Sequence, residues 1–388
     1  MHFNRVIKTQ IQASLDSSDD IILIYGARQV GKTSLCMAIL NDLENLNPNK
    51  SRYFQCESQL VQNAFSQNSI NQILELIGGY DLVVLDEAQS IANIGWRLKL
   101  IADYNQTQTH KIKIIATGSS SFELANKINE PLTGRAEQYW LYPLSLAEIK
   151  QNYSLAEIRN KVNQILVYGL YPSIFDQTQS IINKEIQKIF NNYLYNDILA
   201  FENIKKSTLL KDLTKLLALQ IGQEISLNSL AQKLNVSIAT IERYLNLLEQ
   251  TFIIFRLRTL NRNSSKEITR NFKIYFYDLG VRNYLINNFN PVDLRTDIGE
   301  LWENFCVIER VKKITYESNG KLLPNQYFWR TYTQAEIDYI EEQNEEFLAV
   351  EFKYSENKKP KLPIEFSRSY PKHSFLVVNK SNFVDFLV

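Results

Sequence analysis

The stretch IILIYGARQVGKT, residues 21–33, joins an apolar run of strand length to the pattern GxxxxGK[ST], and the helical segment SLCMAILNDL follows it. A glycine-rich loop between a buried strand and a helix is the setting in which this pattern binds phosphates. Gly26 and Gly31 let the backbone curl, so that its N–H groups and the helix N-terminus can surround a phosphate. The stretch therefore predicts an α/β domain built around a P-loop.

The residues of this loop form the predicted nucleotide-binding set. They are Gly26, Ala27, Arg28, Gln29, Val30, Gly31, Lys32, Thr33 and Ser34. Lys32 would reach the β- and γ-phosphates of ATP, and Thr33 would ligate magnesium. The alternative is a chance glycine loop, which the strand before it and the helix after it disfavour. We therefore predict that the chain binds ATP, ADP and Mg²⁺.

Two acidic residues follow a second apolar strand, Leu82–Leu85. Asp86 would hold the magnesium ion, and Glu87 would orient and polarise the water that attacks ATP. A simpler explanation is that both acids cap the next helix. The P-loop upstream favours the catalytic interpretation.

Two further residues are candidates for sensing or stabilising the γ-phosphate. Thr117 ends the strand KIKIIAT, where a sensor would lie, although it could equally cap the next helix. Arg135 precedes the strand EQYWLYPL and could act as an arginine finger in its own or a neighbouring subunit. The alternative is a surface arginine at a helix C-terminus, which the helix dipole favours.

Strand-length runs alternate with helix-length segments from residue 21 to about residue 142, as in a parallel sheet with covering helices. Helical runs, then a helix-turn-helix with two strands, then a mixed α/β segment follow. We therefore predict four modules: a P-loop ATPase domain over 1–144, a helical lid or connector over 145–222, a winged helix over 223–290, and a mixed α/β domain over 291–388. The polar stretch 287–296 is the predicted linker.

The predicted winged helix carries a basic hairpin. Its cations are Arg256, Arg258, Arg262, Lys266, Arg270 and Lys273, against the single acid Glu267. Such an excess suits sequence-independent contacts with the phosphates of DNA. Winged helices also serve as spacers, and basic hairpins can be solvated edges that charge keeps from pairing. DNA contact through this wing is therefore one of two open alternatives.

The last module contains acids and a lysine at a spacing typical of metal-dependent nucleases. Asp338 lies on the strand AEIDYI, and Glu351 and Lys353 end the strand EFLAVEF, where alternation puts them on one face. Two acids that hold a divalent ion, with a lysine beside them, can support phosphodiester cleavage. The set resembles the PD-(D/E)XK nuclease core, and Glu303 matches the helix glutamate that such enzymes often add as a metal ligand. The alternative is an ordinary surface salt bridge.

The segments GARQVGKT, LVVLDEAQ, ATGSSS, LTGRAEQYWLYPLSLAE and GLYPSIF together resemble one family. It is the family of prokaryotic AAA-type ATPases that carry a C-terminal domain of unknown function, DUF4143. The resemblance spans nearly the whole chain. It implies an ATPase core of the additional-strand class, in which the sensor strand lies between the P-loop strand and the Asp-Glu strand.

Composition limits the remaining choices. The net charge of the 388 residues is +1, so any attraction to nucleic acid must come from a local patch. No apolar run approaches the roughly 18 residues that a bilayer span needs. Cys36, Cys56 and Cys306 lack metal-ligand spacing and are predicted to be buried thiols in a reducing compartment. We therefore expect a soluble, cytoplasmic protein with no membrane partner.

Two functions remain open from the sequence. The first is an ATPase that acts on nucleic acid, with DNA as the expected partner and magnesium-dependent cleavage in the C-terminal domain as an untested element. The alternative is a regulatory switch of the STAND type, whose C-terminal domain is an inactive nuclease relative that binds a protein. A homo-oligomer is expected if Arg135 acts on a neighbouring subunit.

Overall fold

The β/α alternation near the start of the chain forms a parallel sheet of five strands. In this computed structural model, the described residues are 3–46, 48–66, 69–118, 132–193, 207–260, 271–318 and 322–388. The strands are β1 (Ile21–Tyr25), β2 (Ser51–Gln55), β3 (Leu82–Asp86), β4 (Lys113–Gly118) and β5 (Ala136–Trp140). Every residue of β1 and β3 is buried, which explains why Ile, Leu and Val fill all but the last position of each strand.

Helix α1 (Ile7–Ser17) precedes β1, and further helices connect the strands from β1 to β4, as parallel pairing requires. These connecting helices are α2 (Lys32–Leu46), α3 (Gln59–Ala64), α4 (Ile70–Ile77) and α5 (Ile94–Gln106). Helix α2 begins at Lys32, directly after the glycine loop that follows β1. This compact unit comprises Met1–Tyr142 together with Gln250–Phe252.

The strand order of the first sheet is β2-β3-β4-β1-β5. Strand β4 pairs in parallel with β1 on one side and with β3 on the other. Since the strands are parallel, the loops after β1, β3 and β4 meet at the same edge of the sheet. The predicted insertion of the sensor strand between the P-loop strand and the Asp-Glu strand is therefore confirmed.

The second compact unit comprises Pro143–Glu249 and Ile253–Val388. The helices after residue 142 are α6 (Leu146–Ile149), α7 (Leu155–Tyr168), α8 (Gln179–Tyr193), α9 (Ser207–Leu219), α10 (Leu227–Leu234), α11 (Ile238–Gln250), α12 (Leu279–Leu285), α13 (Ile298–Glu317), α14 (Ile364–Ser369) and α15 (Phe383–Leu387). The tetrapeptide SLAE begins both α6 and α7. Each copy forms a capping box, in which the serine and the glutamate satisfy each other's backbone N–H groups.

One mixed sheet of seven strands runs through this second unit. Its strands are β6 (Glu224–Ile225), β7 (Ile254–Thr259), β8 (Phe272–Phe276), β9 (Asn325–Arg330), β10 (Glu336–Gln343), β11 (Glu346–Phe352) and β12 (His373–Val378). The order is β12-β11-β10-β9-β7-β8-β6. The hairpin β7–β8 is antiparallel, and β7 pairs in parallel with β9.

This sheet crosses the predicted boundary between residues 290 and 291. The boundary between the winged helix and the C-terminal module remains a prediction, and the two modules share one sheet because the hairpin strand β7 pairs with β9. The predicted linker 287–296 is also held in place. Arg295, within it, is buried and bonds to Asn283 and Asp297.

The predicted helix-turn-helix forms with the expected local chemistry. Ser226 caps α10 by accepting the N–H of Ser229, and Ser237 accepts the N–H of Thr240 at the start of α11. Asn235, in the turn, has a left-handed conformation with φ of 52°. The two strands of the hairpin follow, joined by residues outside the described part of the chain.

Two predictions of chemical type can be checked against this fold. Cys36, Cys56 and Cys306 are buried free thiols, as predicted. Among the helices that the structure describes, none is long and apolar enough to cross a membrane.

Candidate functional site

The P-loop requires glycine at two positions, Gly26 and Gly31, and the physical reason differs between them. A Cβ atom on Gly26 would lie 2.2 Å from the backbone oxygen of Leu141, so no larger residue fits between β1 and the end of β5. Gly31 has φ of +102°, a conformation that side chains strongly disfavour. Arg28, Gln29, Thr33 and Ser34 are exposed, so the loop is open to solvent.

Lys32 is held inside this loop. Its ammonium nitrogen donates to the carbonyl oxygens of Gly26 at 2.8 Å and Ala27 at 3.0 Å, and the residue is only 5% exposed. Burial lowers the pKa of Lys32, and the nearby charges of Glu87 and Asp86 oppose that effect. In the described part of the chain, no carboxylate lies within salt-bridge distance of this nitrogen. A buried cation without an ion-pair partner is well suited to receive an anion.

Arg5 is a residue of this site that the sequence analysis missed. Its guanidinium donates to the carbonyl oxygen of Val30 at 2.5 Å and to that of Tyr142 at 2.6 Å. These bonds tie the P-loop to the chain just after β5. Nothing in the local sequence around residue 5 signals such a contact.

Asp86 accepts hydrogen bonds from three hydroxyl groups. Thr33 donates to Oδ2 at 2.7 Å, Tyr53 donates to the same oxygen at 2.6 Å, and Thr117 donates to Oδ1. The predicted residues Thr33, Asp86 and Thr117 are therefore brought together. Tyr53, on β2, is a second residue that the sequence analysis missed.

Glu87 follows directly after β3 in a left-handed conformation, with φ of 53°. Its backbone N–H donates to the hydroxyl of Thr117 at 3.1 Å, and its carboxylate accepts a bond from the amide of Gln89. A non-glycine residue in this conformation is uncommon and often occurs where a side chain must be aimed at a site. The role of Glu87 as a general base remains a prediction.

Arg135 lies at the opposite edge of the sheet from the P-loop. Its carbonyl oxygen accepts the N–H of Ile21, and Ala136 is the register partner of Ile21 at the amino end of β1. Its guanidinium pairs with Asp103 at 2.5 Å. The structure does not bring Arg135 and the P-loop of the same chain together, because the full length of β1 separates the two. Action on a neighbouring subunit remains a prediction.

The residues around Asp86 fit a magnesium ion. The hydroxyl of Thr33 and the carboxylate of Asp86 are hard oxygen donors only 2.7 Å apart. Magnesium in nucleotide sites is bound by one or two such protein oxygens, together with phosphates and water. Bound there, the ion would neutralise charge on the β- and γ-phosphates.

The second predicted constellation lies on the seven-stranded sheet. Lys353 Nζ is 2.6 Å from Glu351 Oε2 and 3.0 Å from Asp338 Oδ2. The strand register shifts between Ile337 and Ile340, and Asp338 falls in this irregularity. Asp338, Glu351 and Lys353 are thus brought together as predicted.

Glu303, on α13, has a different set of partners. It accepts a bond from the ammonium of Lys273 at 2.8 Å and one from the phenol of Tyr275 at 2.7 Å, both on β8. Lys273 also pairs with Glu336 at 2.6 Å. Burial raises the pKa of Glu303 to about 7 although Lys273 opposes the shift.

The predicted metal-binding role of Glu303, Asp338 and Glu351 does not fit this arrangement. Burial, and then the charge of Asp338, raise the pKa of Glu351 to about 7. Lys273 and Lys353 already supply positive charge to the carboxylates. No group of three potential ligands in the described ranges is placed to hold one metal ion.

The predicted basic wing is smaller than its sequence suggests. Arg256 pairs with Glu242 and Glu249 on α11, and its side chain is 6% exposed. Lys273 is 1% exposed within the acidic cluster. Neither cation can meet DNA, because strand alternation turns both toward acidic partners. Arg258 is exposed, and Arg262, Lys266 and Arg270 lie outside the described residues.

Three family models match the chain. A model described as an AAA domain matches residues 18–150. Two domains of unknown function match farther on, DUF8612 over residues 159–292 and DUF4143 over residues 298–386. None of these descriptions names a nuclease, so the predicted likeness to the PD-(D/E)XK core gains no support. The match to DUF8612 was not predicted.

The chain is also similar to whole proteins. A protein of Haemophilus influenzae described as uncharacterized is 25% identical over 357 residues, which cover 88% of this chain and 84% of that protein. A protein of Methanocaldococcus jannaschii with the same description is 23% identical over 336 residues, covering 77% and 69%. The chromosomal replication initiator protein DnaA of Limosilactobacillus reuteri is 25% identical over 147 residues, covering 37% and 33%.

Solved structures give weaker similarities. The Aeropyrum pernix ORC1 protein in complex with DNA has a TM-score of 0.33 at 12% identity, covering 74% of this chain and 93% of that chain. A Thermotoga maritima RuvB variant has a TM-score of 0.35 at 17% identity, covering 69% and 95%. Scores this low carry no functional conclusion. By these family matches, residues 18–150 are similar to an AAA domain and residues 298–386 to a DUF4143 domain.

Proposed function

We propose that this protein is a magnesium-dependent ATPase that acts on DNA. The observation that carries the proposal is that the hydroxyls of Thr33, next to Lys32 in the P-loop, and of Thr117 both donate to Asp86 at one edge of the parallel sheet. Thr33, Asp86 and Thr117 belong to α2, β3 and β4 respectively, so their meeting is a property of the fold and not of one short motif. The match of residues 18–150 to an AAA domain supports the same chemistry.

The residues divide the work of hydrolysis. Lys32 exchanges its bonds with loop carbonyls for bonds with phosphate oxygens, which its buried charge favours. Glu87 accepts a proton from the attacking water at its carboxylate. Thr117 links the two acids, since it donates to Asp86 and accepts the N–H of Glu87. It is therefore placed to couple the γ-phosphate to the orientation of Glu87.

DNA is the proposed partner of the second unit. The helix-turn-helix of α10 and α11, followed by the hairpin β7–β8, supports a winged-helix interpretation. Arg258 is exposed on this hairpin, and the segment after it contains Arg262, Lys266 and Arg270.

The ion pairs of Glu303, Asp338 and Glu351 with lysines favour a second candidate function. Lys273 and Lys353 pair with the carboxylates of this cluster, so that it can work as an internal ion-pair network. The protein would then be a regulatory ATPase switch whose second unit binds a protein partner. Its ATP hydrolysis would not respond to DNA.

One experiment separates these functions. ATP hydrolysis by the full chain is measured with and without plasmid DNA, and the plasmid is examined on a gel with Mg²⁺ and with Mn²⁺. We expect hydrolysis that DNA stimulates. Glu87→Gln should lose at least about 100-fold in rate while still binding ATP, because only proton transfer is removed. Lys32→Ala should lose nucleotide binding itself.

Arg258→Ala supplies the test of the DNA contact. DNA should stimulate ATP hydrolysis by this variant less than by wild type. The slope of the logarithm of the DNA-binding constant against the logarithm of the salt concentration should become shallower by about one. Lys359→Ala, another exposed cation outside the hairpin, is the matched control and should behave as wild type. Hydrolysis that DNA leaves unchanged would favour the switch, and a plasmid cut by wild type but not by Lys353→Ala would restore the nuclease hypothesis.

A further inference from the structure

We propose that Tyr53 is a positioning residue for magnesium binding, because its phenol fixes the carboxylate of Asp86 from outside the P-loop. This inference rests on the proposed ATPase function. Tyr53 lies on β2, at the far side of β3 from the P-loop strand. No motif includes it.

The sheet register explains how Tyr53 reaches Asp86. In the parallel pair of β2 and β3, Tyr53 is the partner of Val84. Asp86 is two residues beyond Val84 and so projects from the same face of the sheet. The length of a tyrosine side chain spans this offset, and its hydroxyl donates to Asp86 Oδ2 at 2.6 Å. A phenylalanine would fill the same space without the donor.

The donors to Asp86 have distinct origins. Thr33 belongs to the P-loop helix, and its hydroxyl oxygen is the group that magnesium would engage. Tyr53 and Thr117 come from β2 and β4, and they bond to Oδ2 and Oδ1 respectively. Both oxygens of the carboxylate therefore keep a fixed donor when the hydroxyl of Thr33 turns away. Asp86 then offers its remaining lone pairs in one orientation.

The acceptor of the Tyr53 phenol is a carboxylate oxygen, Asp86 Oδ2. A hydrogen bond to a charged acceptor is roughly twice as strong as one between neutral groups. Loss of the phenol hydroxyl should therefore change how readily the site binds the ion, while leaving the phosphate-binding backbone untouched.

The test compares Tyr53→Phe with wild type in two measurements. The affinity for a fluorescent ATP analogue is titrated in EDTA and again at increasing Mg²⁺, and the rate of ATP hydrolysis is followed over the same Mg²⁺ range. In EDTA, we expect the affinity of Tyr53→Phe for the nucleotide to be within about twofold of that of wild type. With Mg²⁺, we expect the variant to need about tenfold more of the ion to reach half of the increase in affinity and in rate that Mg²⁺ produces. Unchanged or lower Mg²⁺ requirement in Tyr53→Phe would overturn the inference.

Controls separate this inference from the proposed function. Tyr80→Phe removes a hydroxyl from a tyrosine of the same unit that packs edge-on against Phe54, and it should keep the wild-type Mg²⁺ dependence. If wild type itself fails to hydrolyse ATP, the proposed function fails. If wild type hydrolyses ATP and Tyr53→Phe needs no extra Mg²⁺, only the role of Tyr53 fails.

A second measurement covers the case in which Tyr53→Phe does not fold. The full chain is prepared with 3-fluorotyrosine at position 53, which keeps the hydroxyl donor. Its fluorine resonance should shift when Mg²⁺ is added to the complex with ADP. A resonance that responds to ADP but not to Mg²⁺ would contradict the inference.

Discussion

The carbonyl oxygen of Leu141 limits residue 26 of the P-loop to glycine. Leu141, whose carbonyl would meet a Cβ on Gly26, is itself fixed because its N–H donates to the carbonyl of Tyr25 at 2.7 Å. Gly26→Ala must therefore move the P-loop. We expect at least about tenfold weaker ATP binding and about 1–3 kcal/mol lower stability, the usual cost of overpacking. Fluorescent-nucleotide titration and thermal unfolding measure the two effects.

Gly299→Ala is the matched control for that substitution. Gly299 lies in the first turn of α13, and a Cβ there would have no atom within 4 Å. Alanine in a helix is more favourable than glycine by about 0.5–1 kcal/mol. Gly299→Ala should therefore bind ATP as wild type does. Equal behaviour of the two alanine variants would contradict the steric argument.

At the residue scale, the sequence predicts contacts that are short in the chain and misses those that depend on register. Lys32 and Thr33 follow from one motif, and Asp86 follows from the strand that it ends. Tyr53 could not be found in this way, because its bond to Asp86 depends on which residue of β2 lies beside Val84. The place of Arg135 could not be predicted either, since its spacing in the sequence does not say at which end of the sheet it lies.

The carboxylate of Asp297 stabilises the start of helix α13. Asp297 precedes the helix and pairs with Arg282 at 2.5 Å and Arg295 at 2.8 Å, both nearly fully buried. Burial alone would raise the pKa of Asp297, but the bonds from Arg295 and then Arg282 outweigh it and lower the pKa to about 2. The folded state therefore favours the ionised form.

This shift predicts a pH-dependent contribution from Asp297. Because the folded pKa is below the unfolded value of 3.8, the ionised group stabilises the fold above about pH 4. The contribution, about 1–2 kcal/mol, is lost as the pH falls toward 2. Urea denaturation of wild type and Asp297→Asn should differ clearly at pH 7, and the difference should narrow below pH 4. A constant difference over this range would contradict the prediction.

Single elements also explain why the predicted basic wing failed in part. The sequence shows cations on β7 and β8 but not which neighbours each strand face will meet. Arg256 forms ion pairs with Glu242 and Glu249, which lie on α11. Lys273 forms an ion pair with Glu303, which lies on α13. Glu303 is 30 residues away from Lys273 in the chain. Only the packing of the hairpin on these helices shows that both cations are structural.

At the scale of the whole molecule, the seven-stranded sheet makes residues 143–388 interdependent. Leu260, after β7, donates its N–H to Phe328 of β9 at 2.7 Å and packs in one core cluster with Trp329 and Ile337. The β/α rhythm of residues 21–142 predicted the first sheet correctly. The pairing of β7 with β9 could not be predicted, because strands more than 60 residues apart carry no local signal of partnership.

This interdependence predicts how fragments behave. Residues 291–388 contain the whole of the DUF4143 match but lack β7 and β8. Alone, they would expose the edge of β9 and would lack Lys273 and Tyr275, the residues of β8 that bond to Glu303. We expect this fragment to be unfolded or aggregated, with poor dispersion of its amide NMR spectrum. The fragment 143–388 keeps both strands and should give a dispersed spectrum and cooperative unfolding.

In the longer fragment, Lys273→Met should destabilise the fold more than Lys359→Met, which changes an exposed lysine. A well-folded 291–388 fragment would show that the C-terminal domain is independent, and the inference drawn from the shared sheet would then be wrong.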